Sequence, residues 1–281
     1  MYLLSIEKVK ENVYAITDGS TRGNVTAYVL PTQIIFVDSG MNLPLIKKFR
    51  EHIEQETGKK ASVLFITHEH GDHVFGNQVF EDCEIIASKH THEETLIEQK
   101  KNWTPEALDE WKKNAEDPST LEGLRITLAT KTFADQYELV DGGVKVIAKR
   151  TGGHTEGSSY VYCPNYKVLF AGDNLFNRQF PWGGPPTANP LKWIEALKEY
   201  LSLDVEHFIP GHGEISDSQP IQEFLDYLEK VVALMKEQVA AGKSEEDILA
   251  EAEKIEYYPP REGRERWKTA TLQKWYEVLT S

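Results

Sequence analysis

Six consecutive positions, His68 to His73, hold three histidines, one aspartate and one glutamate, in the stretch THEHGDH directly after the apolar run ASVLFI. Imidazole nitrogens and carboxylate oxygens are the donors that zinc, manganese and iron accept. His68, His70, Asp72 and His73, spaced as H-x-H-x-D-H, are therefore four candidate ligands on one loop. Two ions need about eight protein contacts between them, so more donors are expected downstream. They occur as His154 in TGGHTEGSS, Asp173 at the end of VLFAGD and His212 in PGHGE, each at the end of an apolar run or beside glycine. One such residue is ordinarily a cap or a turn former. Seven of them at successive strand ends read as a site for two divalent metal ions, with zinc expected first and manganese or iron next.

The chemistry that follows is hydrolysis. Two cations hold a hydroxide between them at neutral pH and polarise a carbonyl or phosphoryl oxygen, and such a cluster compensates donors that are otherwise costly to bury. Asp72 is the candidate to pass a proton to the leaving group. Glu69 is expected to point outward from the loop. Further on, FNRQFPWGGPPTANP places Phe176, Phe180 and Trp182 around Arg178, a candidate apolar wall with one anion contact for a small-molecule substrate.

These donors need strands to carry them. NVYAITDG, NVTAYVL and QIIFVDSG read as a β-meander. A helical pattern from Pro44 through Leu45, Ile46, Phe49 and Ile53 closes at Gly58, with proline and glycine where helix ends favour them. ASVLFIT is the next strand, so strand, helix and strand form a βαβ unit in an α/β fold. Residues 89–128 turn polar and helical, with Thr104-Pro105 as a start signal, and read as an insertion over one side of the sheet. His90 and His92 are expected at a surface helix start, and Trp103 and Trp111 in the core. The strands VKVIAKR, SSYVYCP and KVLFAGD follow, then the helix LKWIEALKEYL and the strand HFIP. Residues 1–218 are thus expected to form one domain, and 219–281 three amphipathic helices packed on it, with Tyr257, Tyr258 and Trp267 in the packing.

The chain has 281 residues, enough to bury a sizeable core. Its net charge of −14 argues against nucleic acid or an anionic membrane as partner, since both require a basic surface. No signal peptide or apolar run of membrane-spanning length is visible, so a cytoplasmic location is expected. The two cysteines, Cys83 and Cys163, are too few for a disulfide framework and read as ordinary buried thiols. The helical tail could also serve a homodimer.

The motifs THEHGDH, GGHTEGS, FAGDNLF and IPGHGE resemble, in kind and order, those of the metallo-β-lactamase superfamily, over about residues 13–214. The resemblance implies a four-layer αββα sandwich with metals at one edge. It implies His68, His70 and His154 on one metal, Asp72, His73 and His212 on the other, and Asp173 bridging both, with Asp38 orienting the histidine loop. The bridging aspartate is similar to that of glyoxalase II-like and lactonase-like members and is absent from true β-lactamases. Phe176 stands where quorum-sensing lactonases have tyrosine, and the basic glutathione motif of glyoxalase II has no clear counterpart in REGRERWKTATLQKWYEV. The alternative within this family is a persulfide dioxygenase with a single iron.

Overall fold

The computed structural model describes residues 4–281. Strands β1 (Glu7–Lys10), β2 (Val13–Ile16), β3 (Val25–Val29) and β4 (Ile34–Val37) form an antiparallel meander. Helix α1 (Leu43–Thr57) then crosses to β5 (Ala61–Ile66), which pairs parallel with β4. The short α2 (Gly71–Val74), β6 (Glu84–Ser88), α3 (Lys89–Lys101), α4 (Pro105–Asn114) and β7 (Lys131–Phe133) complete this half, with β6 and β7 added parallel. The second sheet holds β8 (Gln136–Asp141), β9 (Val144–Arg150), β10 (Ser159–Cys163), β11 (Val168–Phe176) and, beyond α5 (Pro190–Ser202), β12 (His207–His212). Helices α6 (Gln219–Ala240), α7 (Glu245–Glu253) and α8 (Arg266–Thr280) follow.

Successive side chains along a strand point to opposite faces, and the alternation sorts these strands into layers. Ile35, Val37, Val63 and Phe65 of the first sheet face Val161, Cys163, Val168 and Phe170 of the second in one inner cluster. Their neighbours Ile34, Phe36, Leu64 and Ile66 turn outward onto Leu45, Ile46, Phe49 and Ile53 of α1. On the far side Tyr160, Tyr162, Leu169 and Ala171 meet Trp193 and Leu197 of α5, Phe224 and Leu228 of α6, and Trp275 of α8. The architecture is the expected αββα sandwich. Central strands are buried on both faces, so they read as unbroken apolar runs.

The tail helices have no core apart from this third cluster. Trp193 sits at its centre, fully buried, with Nε1 donating to the carbonyl of Asn174 at 3.0 Å and its ring edge-on to Phe224 and Trp275. Trp193→Ala is expected to cost about 3–5 kcal/mol, as for other large aromatic truncations in cores. Urea unfolding would show this as a lower midpoint at unchanged slope.

Helix α1 begins and ends where expected, with the Asn42 side chain accepting from the Leu45 amide at 3.3 Å and Gly58 closing it. Thr104 caps α4 by accepting from Ala107 N at 3.3 Å. Both cysteines are buried and free. Trp103 is buried, but Trp111 is about half exposed at 47%, resting one face near Phe75, which corrects its expected place in the core. Strands β1, β6, β7 and β8 escaped the sequence reading. Among them β8 is an edge strand whose burial alternates with exposure, so it lacks the apolar run that marks its neighbours. No helix among the described residues is long and apolar enough to cross a membrane.

Candidate metal centre

Parallel pairing of β4 with β5 and of β11 with β12 brings the carboxyl ends of four strands to one edge of the sandwich. Such edges are where open sheets hold ligands. Asn24 laces the two sheets together there. Its amide donates to Gly211 O at 2.8 Å and its side chain to the carbonyls of Pro210 and Gly213, both at 2.8 Å.

The seven candidate ligands converge at this edge. Among the described residues three groups have donor atoms within 4.8 Å of one another: His68, His70, His154 and Asp173; Asp38, His68 and His73; and Asp72, His73 and His212. Asp173 belongs to the first, and its oxygens also face His73 and His212 of the last. Its Oδ2 lies 3.7 Å from His68 Nε2, 3.5 Å from His154 Nε2 and 3.3 Å from His212 Nε2, while Oδ1 lies 3.1 Å from His73 Nε2. Asp72 Oδ2 lies 3.3 Å from His212 Nε2 and 3.8 Å from His73 Nε2.

The outer nitrogens of three of these rings are already committed. His154 Nδ1 donates to the Trp182 carbonyl at 2.7 Å. His73 Nδ1 donates to Asp38 Oδ2, also at 2.7 Å. The Thr67 hydroxyl donates to Asp38 at 2.7 Å and so accepts from His68 Nδ1 at 3.1 Å. Each commitment fixes a tautomer and turns the lone pair of Nε2 inward. His68 Nε2 and His154 Nε2 then meet His70 Nδ1 at 3.1 and 2.9 Å, and one ring proton cannot satisfy three facing nitrogens. His73 Nε2 and Asp173 Oδ1 are buried without a hydrogen-bond partner despite their proximity. Orphaned, converging donors of this kind fit divalent cations.

The protonation preferences agree. Burial holds the imidazole of His154 down to about 3, and burial with neighbouring rings depresses His68 and His70. Burial also opposes protonation of His73 and His212, yet the carboxylates of Asp173 and Asp72 overcome it and raise both. Asp173 is buried too, but His212, His73 and His68 hold it well below the ordinary carboxylate range. A cation shared by these groups replaces the protons that the carboxylates otherwise attract.

Asp38 meets the cluster through the outer nitrogen of His73. Its oxygens accept from Thr67 N at 2.8 Å, Thr67 Oγ1 and His73 Nδ1, so it orients the histidine loop. Its φ of +55° is a left-handed conformation costing on the order of 1 kcal/mol, which those three bonds offset. Beside His212, a Cβ on Gly211 would fall 1.9 Å from Asp173 Oδ1, so only glycine lets that carboxylate reach its place.

A sequence model of the metallo-β-lactamase superfamily matches residues 19–212. The chain belongs to the metallo-β-lactamase superfamily. Among curated members it is similar to the metallo-beta-lactamase type 2 of Bacillus cereus, 26% identical over 235 residues, covering 80% of this chain and 82% of the relative. Among solved structures, the metallo-beta-lactamase from Pontibacter korlensis superposes with a TM-score of 0.62 at 17% identity, covering 81% of this chain and 99% of that one. The stereoselective inverting sec-alkylsulfatase Pisa1 from Pseudomonas sp. superposes with a TM-score of 0.69 at 15% identity, covering 98% of this chain and half of that one. This member of the superfamily is a metallo-hydrolase with candidate His and Asp metal-binding groups.

The loop after β11, expected to line a substrate site, differs in part from expectation. Phe176 stacks on His212 with centroids 5.0 Å apart, and Trp182 supplies the carbonyl that holds His154, so both adjoin the centre. Phe180 is fully buried against Tyr227 and Tyr257 and has no face to offer a substrate. Arg178 is exposed on a left-handed turn, and the guanidinium beside Phe176 belongs instead to Arg261 of the tail. Glu69 points inward, not outward. It accepts from the Thr155 hydroxyl at 3.1 Å, and burial pushes its carboxyl up to about 7. Tyr257, Tyr258 and Trp267 pack as expected, Tyr257 stacking on Tyr227 and Trp267 lying 5.4 Å from Trp182. His90 and His92 sit half-buried in the first turn of α3.

Sequence reasoning missed Asn174 and Arg261. Asn174 accepts from His154 N at 2.9 Å and donates to Gly152 O at 2.8 Å, so it locks the loop that presents His154. Its place directly after Asp173 was the available signal. Arg261 opens the basic segment REGRERWKTATLQKWYEV, which has no clear motif counterpart, and only the fold brings it to this edge.

Proposed function

We propose that the chain is a dinuclear metallo-hydrolase that cleaves an ester-type bond (thioester, lactone, phosphoester or lactam). The second donor set carries this reading: Asp72, His73 and His212 complete a site of their own, and Asp173 faces both sets. In this assignment His68, His70 and His154 hold one ion, Asp72, His73 and His212 the other, and Asp173 joins them. Two divalent cations held by these residues, zinc first, would supply Lewis acidity and lower the pKa of a bound water towards neutral.

The protein's own groups do the rest. Asp38, Thr67 and the Trp182 carbonyl hold the imidazoles of His73, His68 and His154 in one tautomer and orientation, and Asn174 holds the His154 backbone. Asp72 moves the proton to the leaving group, because its side chain is 28% exposed whereas that of Asp173 is 5% exposed. Only the former is open to an incoming molecule. We further read 1–218 as the catalytic domain and 219–281 as a helical extension that finishes one wall of the site.

The test combines metal analysis with turnover. Protein loaded in turn with zinc, manganese and iron is expected to hold two ions per chain and to hydrolyse one member of a panel far faster than the others. The panel is a lactone, a glutathione thioester, a phosphodiester, a phosphotriester and a β-lactam, the last because the curated relatives carry that name. A single iron per chain with oxygen consumption on a persulfide would replace this reading with that of an oxygenase.

A further inference from the structure

The segment between α7 and α8 runs through Pro259 and Pro260 to Arg261, and Phe180 N donates to Pro259 O at 2.9 Å, which ties it to the loop after β11. Arg261 turns into the candidate metal centre. Its guanidinium lies 6.0 Å over the ring of Phe176, the ring that stacks on His212, and 5.9 Å over the ring of Trp267. Its Nε donates to Gln179 Oε1, but Nη2 is buried and has no partner. Burial works against its charge, and the carboxylates of Asp173 and Asp72 lie near enough to support it. Those carboxylates face the histidines, so they do not satisfy Nη2.

A guanidinium stays charged in proteins and offers donors in a planar fork that matches a carboxylate, sulfate or phosphate group. Set near two aromatic rings and tied at Nε to Gln179, it has its direction fixed before any ligand arrives. We propose that Arg261 is the anion-recognition residue of this active site, so that the substrate carries an oxyanion group, a carboxylate, sulfate or phosphate, set beside the bond that is cut. The substrate part of this inference rests on the hydrolase reading above; the anion site itself does not.

Binding is read first, on zinc-loaded protein, from the fluorescence of the Trp182 and Trp267 pair at constant ionic strength. Acetate, sulfate and methyl phosphate are titrated separately, and the tightest of the three names the group. Arg261→Gln keeps a hydrogen-bonding stem and is expected to weaken that anion by about 10- to 100-fold, the worth of a charge-assisted hydrogen bond. Arg261→Lys should fall between the two. Arg264→Gln, whose guanidinium lies over Trp267 at 5.5 Å, should bind as the wild type does. Circular dichroism melts establish that each variant is folded.

Turnover is read second, as the ratio of kcat/KM for 4-nitrophenyl hydrogen succinate to that for 4-nitrophenyl acetate. Arg261→Gln should lower this ratio by a similar factor. Equal anion affinity in wild type and Arg261→Gln, or an equal loss in Arg264→Gln, would overturn the proposal. Absence of turnover with every metal, together with anion binding that depends on Arg261, would remove the hydrolase reading and leave the anion site standing. Turnover with an unchanged ratio, together with anion binding that does not depend on Arg261, would leave the hydrolase reading and remove the anion site.

Discussion

Asp173→Ala is expected to empty the metal centre below one ion per chain and to lower kcat/KM by about a thousandfold or more, the equivalent of roughly 4 kcal/mol of lost transition-state stabilisation. The expectation follows from position. Asp173 lies within 3.1–3.7 Å of nitrogens from His68, His73, His154 and His212, so its removal takes away the carboxylate that faces both sets. It also leaves five imidazoles facing one another with a single carboxylate, Asp72, among them. The measurement is elemental analysis alongside kinetics on folded protein. Two ions per chain with wild-type turnover would reject the assignment of Asp173 as the shared ligand.

The second large effect is on stability. Treatment with a chelator is expected to lower the melting temperature by on the order of 10 °C, and readdition of zinc to restore it. An ion present at a thousandfold excess over its Kd stabilises the folded state by about 4 kcal/mol per site, and melting temperature moves by about 2–4 °C per kcal/mol in chains of this size class. The structural reason is that the cluster contains buried His73 Nε2 and Asp173 Oδ1 without partners, the Asp173 carboxylate being removed from bulk water. A melt indifferent to chelator would mean that these donors satisfy one another and hold no ion. The metal content of Asp173→Ala and the melt are both independent of knowing the substrate.

The donor residues were legible because histidine and aspartate at strand ends stand out against apolar runs, and because His68, His70, Asp72 and His73 share one loop. The layered fold was legible for a related reason: strands such as Ile34–Val37 and Val168–Phe176 are buried on both faces and carry unbroken apolar sequence. What failed was direction. Glu69 lies between two candidate ligands on a loop, and nothing local says that it folds under Thr155 and away from water. Phe180 and Arg178 lie two residues apart on one loop, yet one enters the core of α6 and the tail while the other faces solvent. Arg261 is 88 residues beyond Asp173 in the chain (261 less 173) and reaches the same edge. Spacing along a sequence carries periodicity, not the long-range approach that decides such cases.

The link between the tail and His154 has a consequence for how the protein is made. The Trp182 carbonyl that aligns His154 adjoins Gly183, whose amide donates to Thr271 Oγ1 of α8 at 2.9 Å. A side chain at Gly183 would meet Thr271 and the Trp275 ring within 2.8 Å, so the loop and α8 fit only in contact. During synthesis the ribosome releases all seven candidate ligands well before α8. The nascent chain can therefore assemble both sheets before the Trp182 carbonyl is braced against His154, and a ribosome stalled ahead of α8 would display a folded sandwich with one side of the candidate metal centre unbraced.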